Sequence, residues 1–207
     1  MIITNDDYLK QKCEPCSSIE EGEEIAAKLL KELTESKTGI GLAANQIGIN
    51  KRVCVINVPT SNNKEPIVLI NPEIIEKSEE KFAFIEGCLS FPKQQVTTQR
   101  HKWIKVKADN HTSTLYFTIY HDNSEEGFDK GKYLNYAYET ACAQHEIDHL
   151  DGITMFDRKL EKVTLQRKNP KIGRNTKVLV KKGSETKTIK YKKFEKMSED
   201  GWTLAEV

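Results

Sequence analysis

The sequence predicts an α+β fold in which a run of short strands lies between two helices. Three observations predict it. Apolar side chains recur at helical spacing in residues 17–36, short apolar or alternating segments fill the middle of the chain, and a second helical segment reaches about Leu150. With 207 residues the chain can form one domain with its own core and a small appendage.

The first helix is predicted at residues 17–36. Ile25, Leu29, Leu30 and Leu33 form its apolar face, and acids early with lysines later suit the helix dipole. The segment TGIGLAANQIGI follows, with three glycines and small residues that let two stretches of backbone approach closely.

Strands are predicted in the middle of the chain from apolar runs and alternation. They are KRVCVINV (51–58), EPIVLINPEII (65–75) with a break at Asn71-Pro72, FAFIEGCLSFP (82–92) ending in a turn at Pro92, VTTQRHKWIKVKA (96–108) as one alternating strand, and STLYFTIY (113–120).

The second helix is predicted after a polar loop at residues 121–133. Asn135 is a suitable N-cap, and Gly152 would end the helix just after Leu150.

Charge divides the chain into an acidic body and a basic tail. Residues 158–196 contain 15 Lys and Arg against 3 Asp and Glu, whereas residues 1–157 contain 17 against 25. We therefore expect a domain at 1–157 and a basic extension at 158–207. In the extension, TKVLVKK and TKTIKYK predict a hairpin, and KFEKMSED predicts a short helix capped by Gly201, with Trp202 folded back.

Composition indicates a cytoplasmic protein without membrane contact. Hydrophobic residues make up 37% and charged residues 30%, and apolar runs such as Val53–Val58 are too short to cross a bilayer. The beginning, MIITNDDYLK, lacks the features of a secretory signal. Five scattered cysteines, an odd number, argue against a disulfide framework. The pair CEPC (13–16) would need a second pair to hold zinc, so small buried side chains are the favoured interpretation.

The segment AQHEIDHLDG, residues 143–152, contains the HExxH pattern. On a helix, His145 and His149 lie on one face and can bind one metal ion, with Glu146 close enough to move a proton on metal-bound water. The pattern is typical of zinc peptidases.

A catalytic metal needs a third protein ligand. Met155 stands where one peptidase class has a third histidine, and Glu161 and Glu185 are poorly placed for another class. Cys142 lies seven residues from His149, about 10 Å along a helix, and so cannot readily join both histidines on one ion.

Two other cysteines are candidates for the third metal ligand. Cys54 lies inside an apolar strand, which favours a buried packing role. That leaves Cys88, in EGCLS, where Gly87 frees the backbone before a turn.

Three segments together resemble a known family. GIGLAANQ (39–46), EGCLS (86–90) and QHEIDH (144–149) are similar, in form and order, to the signature motifs of peptide deformylases, and the resemblance covers roughly residues 1–157. It implies mostly antiparallel sheets around a central HExxH helix, here with a small basic C-terminal extension. It also implies hydrolysis of the formyl group from the N-terminal formylmethionine of nascent polypeptides, with release of formate.

The resemblance implies a role for each matching residue. The metal ligands would be Cys88, His145 and His149, with water in the fourth position. That water would attack the formyl carbon, with Glu146 as general base and then acid, while the Gln46 amide and the Leu89 N–H meet the formyl oxygen. The backbone of Gly41 would hold the substrate chain, and the methionine pocket would be lined by Ile40, Phe84, Tyr138 and Cys142.

The resemblance further implies one divalent metal ion per chain. Family behaviour favours Fe²⁺ in the cell, and a site of one cysteine and two histidines also suits Zn²⁺, Ni²⁺ or Co²⁺.

The chain departs from the family pattern in several places. Gln95 stands where some members have an arginine near the substrate, and Arg100 is expected to form a structural ion pair with Glu86. The interval from Cys88 to His145 is longer than in compact family members, and the excess fits the polar loop at 121–133, so the rim of the pocket is expected to differ. The basic tail could bind ribosomal RNA or form a solvated, lysine-rich face. The alternatives to a deformylase are a zinc peptidase of the HExxH type and an inactive metal-binding module, for example one that binds nucleic acid through the tail.

Overall fold

The computed structural model describes residues 1–36, 38–58, 65–120, 130–160 and 175–204. The chain divides into two compact units, Met1–Glu161 and Lys162–Val207.

The first unit contains three helices and eight strands among its described residues. The helices are α1 (Asp6–Leu9), α2 (Ile19–Ser36) and α3 (Lys130–Leu150), and a 3-10 helix spans Ala44–Ile47. The strands are β1 (Gly41–Ala43), β2 (Val53–Ile56), β3 (Ile67–Ile70), β4 (Glu73–Lys77), β5 (Lys81–Cys88), β6 (Phe91–His101), β7 (Trp103–Lys107) and β8 (Leu115–Thr118).

The strands form three antiparallel sheets, with the orders β1-β2-β3, β4-β7-β8 and β5-β6. Helix α2 packs its apolar face, including Ile25 and Leu29, on the first sheet. Helix α3 packs against strands of all three sheets, and its buried Ile147 and Leu150 join a core with Ile104. The predicted α+β class and antiparallel sheets are confirmed, and the HExxH segment lies in the last turns of α3.

The end of α3 is fixed by several backbone contacts. The carbonyl of His149 accepts a hydrogen bond from Asn45 Nδ2 at 2.7 Å, and the carbonyl of Leu150 accepts one from Cys13 N at 2.9 Å. Gly152 then reverses the chain with φ of 71°, where a Cβ would lie only 2.4 Å from the carbonyl oxygen of Lys10. The predicted stop at Gly152 is confirmed.

Three predicted boundaries were wrong. The turn between β5 and β6 lies at Leu89–Ser90, and Pro92 is inside β6 on the edge of a two-stranded ribbon, where its missing N–H is tolerated. The segment 96–108 is not one strand, because the chain passes from β6 to β7 at Lys102 and the two strands join different sheets.

The third boundary concerns the start of α3. The helix begins at Lys130, so Asn135 is inside it and is not its N-cap. Residues 121–129 of the predicted loop lie outside the described residues.

The second unit contains the predicted hairpin and helix. Strands β9 (Lys177–Lys182) and β10 (Glu185–Lys190) pair antiparallel, α4 spans Tyr191–Glu199, and β11 (Thr203–Leu204) pairs with β9. Gly201 has φ of 83° at the end of α4, and Trp202 is buried against this small sheet, where Lys187 lies over its ring.

All five cysteines are free thiols, and Cys13 and Cys16 are buried as expected. Among the described residues, no helix is long and apolar enough to span a membrane.

Candidate metal centre and active site

Three side chains from two distant segments meet at the C-terminal end of α3. The ligand atoms offered by Cys88, His145 and His149 all lie within 4.8 Å of one another, and Cys88 Sγ is 3.3 Å from His149 Nε2. Ligand atoms bound to one ion at ordinary zinc distances in a tetrahedron lie about 3.5 Å apart. The donor set and its spacing therefore fit a metal ion bound by one sulfur and two imidazole nitrogens.

Glu86 orients the first histidine. Its Oε2 lies 2.8 Å from His145 Nδ1, which leaves Nε2 of that ring for a metal. Burial alone would lower the pKa of His145, but hydrogen bonds to Cys88 and Glu86 outweigh it and hold the pKa well above its usual value. Burial and the neighbouring His145 hold the pKa of His149 well below its usual value.

Glu86 is itself held by a buried ionic network. Burial would raise its pKa, but hydrogen bonds from Arg100 at 2.5 and 2.8 Å, together with His145, lower the pKa to about 2. Arg100 also donates to Asp148, which accepts two further hydrogen bonds from Arg158 at 2.7 and 3.0 Å. The expected ion pair of Arg100 with Glu86 is present and forms part of this longer chain of charges.

Glu146 is the residue next to His145, one of the three candidate metal ligands, and its environment is unusual. Its side chain is buried, and Oε2 has no hydrogen-bond partner among the described residues. Burial raises the pKa of Glu146 to about 7, which suits a group that must both take and give a proton near neutral pH.

Gly41 permits the close approach of β1 to α3. A Cβ at this position would lie 2.5 Å from Cys142 Sγ and 2.6 Å from Glu146 Oε1. Both distances are shorter than real contacts, so only glycine leaves Glu146 in its observed position.

Gln46 points into the site from the 3-10 helix. Its Oε1 accepts a hydrogen bond from Ala43 N at 2.9 Å, and its Nε2 donates to Ser90 Oγ at 3.1 Å and lies 3.3 Å from Cys88 Sγ. The amide is therefore fixed with its N–H donors on the side of the candidate ligand Cys88.

A cleft of about 690 Å³ opens over these residues. Its lining includes the predicted site residues Ile40, Gly41, Gln46, Cys88, Leu89, Tyr138, His145 and Glu146. Phe84 and Cys142 are not among the lining residues. Phe84 packs edge to face on Tyr138 with ring centroids 5.0 Å apart, and Cys142 lies behind Gly41. Their predicted contact with a methionine side chain stays a prediction.

The model of the polypeptide deformylase family matches residues 1–165 of the chain. The chain belongs to this family. Its members are metal-dependent hydrolases that remove the N-formyl group from nascent polypeptides, and the function and enzyme class predicted from the motifs are confirmed at this level.

Individual relatives agree with the family match. The peptide deformylase of Natranaerobius thermophilus is 40% identical over 162 residues, which are 77% of this chain and 92% of that protein. The Thermotoga maritima peptide deformylase crystal structure is similar with a TM-score of 0.58 and 32% identity, covering 78% of this chain and 97% of that chain.

A third relative is similar beyond the first unit. The peptide deformylase of Brachyspira hyodysenteriae is 32% identical over 196 residues, covering 92% of this chain and 97% of that protein. Because the first unit ends at Glu161, this similarity must include part of the C-terminal unit.

Sequence reasoning missed three features of the deformylase site. Glu86 was expected to bind Arg100 but not His145, Ser90 was not singled out, and neither was the contact of Asn45 with the end of α3. A signal for Glu86 was present, because residues two apart on a strand share a face and Glu86 stands two before Cys88.

Proposed function

We propose that this chain hydrolyses the formyl group of N-terminal formylmethionine with the residues that meet at the end of α3. The observation that carries the proposal is the convergence of Cys88, His145 and His149 beside the unpartnered carboxylate of Glu146. A structural metal site would not need a buried acid of this kind next to it.

Cys88, His145 and His149 would hold one divalent metal ion. When bound, the ion would lower the pKa of a water molecule towards about 7 and so supply a nucleophile at neutral pH. Fe²⁺ is proposed as the ion in the cell, with Zn²⁺, Ni²⁺ or Co²⁺ as substitutes, since sulfur and imidazole ligands accept all four.

The charge that develops on the formyl oxygen would be stabilised by Gln46 Nε2 and the backbone N–H of Leu89. Gln46 is supported in this role by its contacts with Ala43 and Ser90, which fix the amide before the substrate arrives. A donor of this kind is typically worth about 100- to 1000-fold in rate.

Glu146 would take the proton of the attacking water and deliver it to the leaving amine. A pKa of about 7 lets the same carboxyl act as base and then as acid without a large energetic cost in either direction. The nascent chain would lie along Gly41, with its methionine side chain towards Ile40, Tyr138, Phe84 and Cys142.

The test is formate release from a formyl-Met-Ala-Ser peptide by protein loaded with Fe²⁺ under argon, or with Ni²⁺. We expect release by the unaltered chain, none above background for Cys88→Ala, and a loss of about 100- to 10,000-fold for Glu146→Ala. Cys16→Ala is the matched control, because this buried thiol neither lines the cleft nor belongs to the ligand cluster. Absence of formate with a metal-replete protein would sink the proposal. Cleavage of an acetyl-blocked peptide at an internal bond would instead indicate a peptidase.

We further propose that the C-terminal unit binds ribosomal RNA near the exit of the nascent chain. Its support is the excess of Lys and Arg in residues 158–196 and the exposed lysines Lys192 and Lys193 on α4. Such an enzyme would act in the cytoplasm.

This second proposal can be tested with lysine pairs. Lys192→Gln with Lys193→Gln should weaken cosedimentation with ribosomes. It should also make binding less sensitive to salt: the slope of log binding constant against log salt concentration should fall by about 0.9 for each phosphate that the variant no longer neutralises. Lys28→Gln with Lys31→Gln, an exposed pair on α2, is the control. Equal binding by both double variants would exclude this role of the C-terminal unit.

A further inference from the structure

The wall of the cleft formed by β5 and β6 contains a three-residue bulge. Gly87 is paired with Gln95, and the next residue, Cys88, is paired with Phe91. Three residues of β6, Pro92, Lys93 and Gln94, therefore have no partner opposite them on β5. All three are exposed and line the cleft, and bulges near active sites commonly redirect a side chain in this way.

The backbone at the centre of this bulge is held in an unfavourable conformation. Lys93 has φ of 65°, in the left-handed region that residues with a Cβ seldom adopt. Pro92 restricts the chain just before it, and the β6 ladder resumes just after it at Gln95. The start of the Lys93 side chain is thereby fixed at the rim of the cleft.

Lys93 is also the exposed charged side chain among the described residues that line the cleft. Apart from the phenol of Tyr138, the other charged or titratable side chains in the lining are His145 and Glu146, which are buried, and the metal ligand Cys88. The lining residues 38–41 are neutral. No salt bridge of Lys93 is formed within the described part of the chain. Its ammonium group is therefore available to a substrate.

We propose that Lys93 is a specificity-determining residue that favours nascent chains with an acidic side chain shortly after the formylmethionine. The inference rests on the proposed function, in which the formyl group lies on the floor of the cleft and the rest of the peptide leaves over its rim. An aspartate or glutamate at residues two to four of the peptide would then pass the Lys93 ammonium group, whereas lysine or arginine would be repelled.

The charge of Lys93 can dominate at the cleft although residues 1–157 carry a net negative charge. Residues 1–157 contain eight more acidic than basic side chains, but no exposed acidic side chain of the described residues lines the cleft. Exposed charges separated by more than about 8 Å are largely screened at physiological salt. A single exposed ion pair changes kcat/KM about two- to fivefold. The preference should weaken as salt rises.

The experiment compares tetrapeptide substrates that begin with formyl-Met and carry Asp, Asn or Lys at residue two, three or four, the other residues being Ala. With nickel-loaded protein, kcat/KM for the best Asp peptide should exceed that of its Asn counterpart about two- to fivefold, and the Lys peptide should be the poorest. Lys93→Gln should bring the Asp/Asn ratio to about one, and Lys93→Glu should reverse it. Because each ratio is taken within one variant, a change in the active fraction cancels.

The matched control is Lys81→Glu, an exposed lysine at the start of β5 in the same hairpin that does not line this cleft. It should keep the ratio of the unaltered chain. An Asp/Asn ratio near one in the unaltered chain, or a ratio that Lys93→Glu leaves unchanged, overturns the role of Lys93 while hydrolysis of the Asn peptide still upholds the proposed function. If no formylated peptide is hydrolysed at all, the proposed function fails and this inference fails with it.

Discussion

The buried ionisable side chains on the two faces of α3 differ in their hydrogen bonding. On the cleft face, Glu146 Oε2 and His149 Nδ1 have no hydrogen-bond partner in the described residues. On the opposite face, Gln144 bonds both the N–H and the carbonyl of His101, and Asp148 is held by Arg100 and Arg158. The neutral Thr140 Oγ1 on this face has no partner in the described residues. The carboxylates of Glu146 and Asp148 are two residues apart and similarly buried, with 4% and 6% of each residue exposed.

The difference separates the groups that support the helix from those proposed to act in the reaction. A buried polar group without a partner costs folding free energy, so it persists where another function retains it. The groove on the Asp148 side, at about 860 Å³, is larger than the cleft of about 690 Å³. Unpartnered ionisable side chains therefore indicate the candidate site better than cavity size does, since the other two unpartnered atoms of the described residues, Asn45 Oδ1 and Thr140 Oγ1, belong to neutral side chains.

The largest expected effect comes from Glu146→Gln. Formate release should fall about 100- to 10,000-fold, because the amide cannot move the proton. The melting temperature of the metal-free protein should stay the same or rise, since the substitution removes a carboxylate whose charged form burial disfavours. Calorimetry of the variant and the unaltered chain checks this. A clear drop in melting temperature would remove the distinction between the two faces.

The matching change on the opposite face is Asp148→Asn. It leaves Arg100 and Arg158 without one carboxylate and should lower the free energy of unfolding by about 3 kcal/mol. Urea denaturation measures the loss. Activity per folded molecule should decrease far less than in Glu146→Gln. Should Asp148→Asn lose activity while keeping its stability, Asp148 would belong with the catalytic groups.

A smaller effect is expected from Gly41→Ala, which adds a methyl group between β1 and α3. The clash with Cys142 and Glu146 should cost about 1 to 3 kcal/mol of stability and displace Glu146. Gly87→Ala is the control for stability, because its nearest contact would be 3.7 Å away. Thermal unfolding of the two variants gives the comparison, and equal melting temperatures would show that β1 can move away from α3.

Much of the fold was predictable because its signals are local. The apolar spacing of α2, the break at Asn71-Pro72 and the hairpin of the second unit each depend on a few consecutive residues. The wrong boundaries lie where tertiary contacts, and not neighbouring residues, determine the secondary structure. The alternation of 96–108 continues through Lys102 although its two halves belong to different sheets, and the N-terminal turns of α3 carry few local helix signals.

The site shows the same division between local and distant information. Helical spacing predicted that His145, Glu146 and His149 lie together. The three motifs identified the family and indicated Cys88 and Gln46 as further site residues. The sequence by itself thus determined the reaction class and the ligand types. Only the tertiary structure decided that Glu86 orients His145 across 59 residues, that Ser90 holds Gln46 across 44, and that a bulge sets Lys93 on the rim. The physical reason is that side chains so far apart in sequence meet only when sheet register and helix packing bring them together, and no local pattern encodes that register.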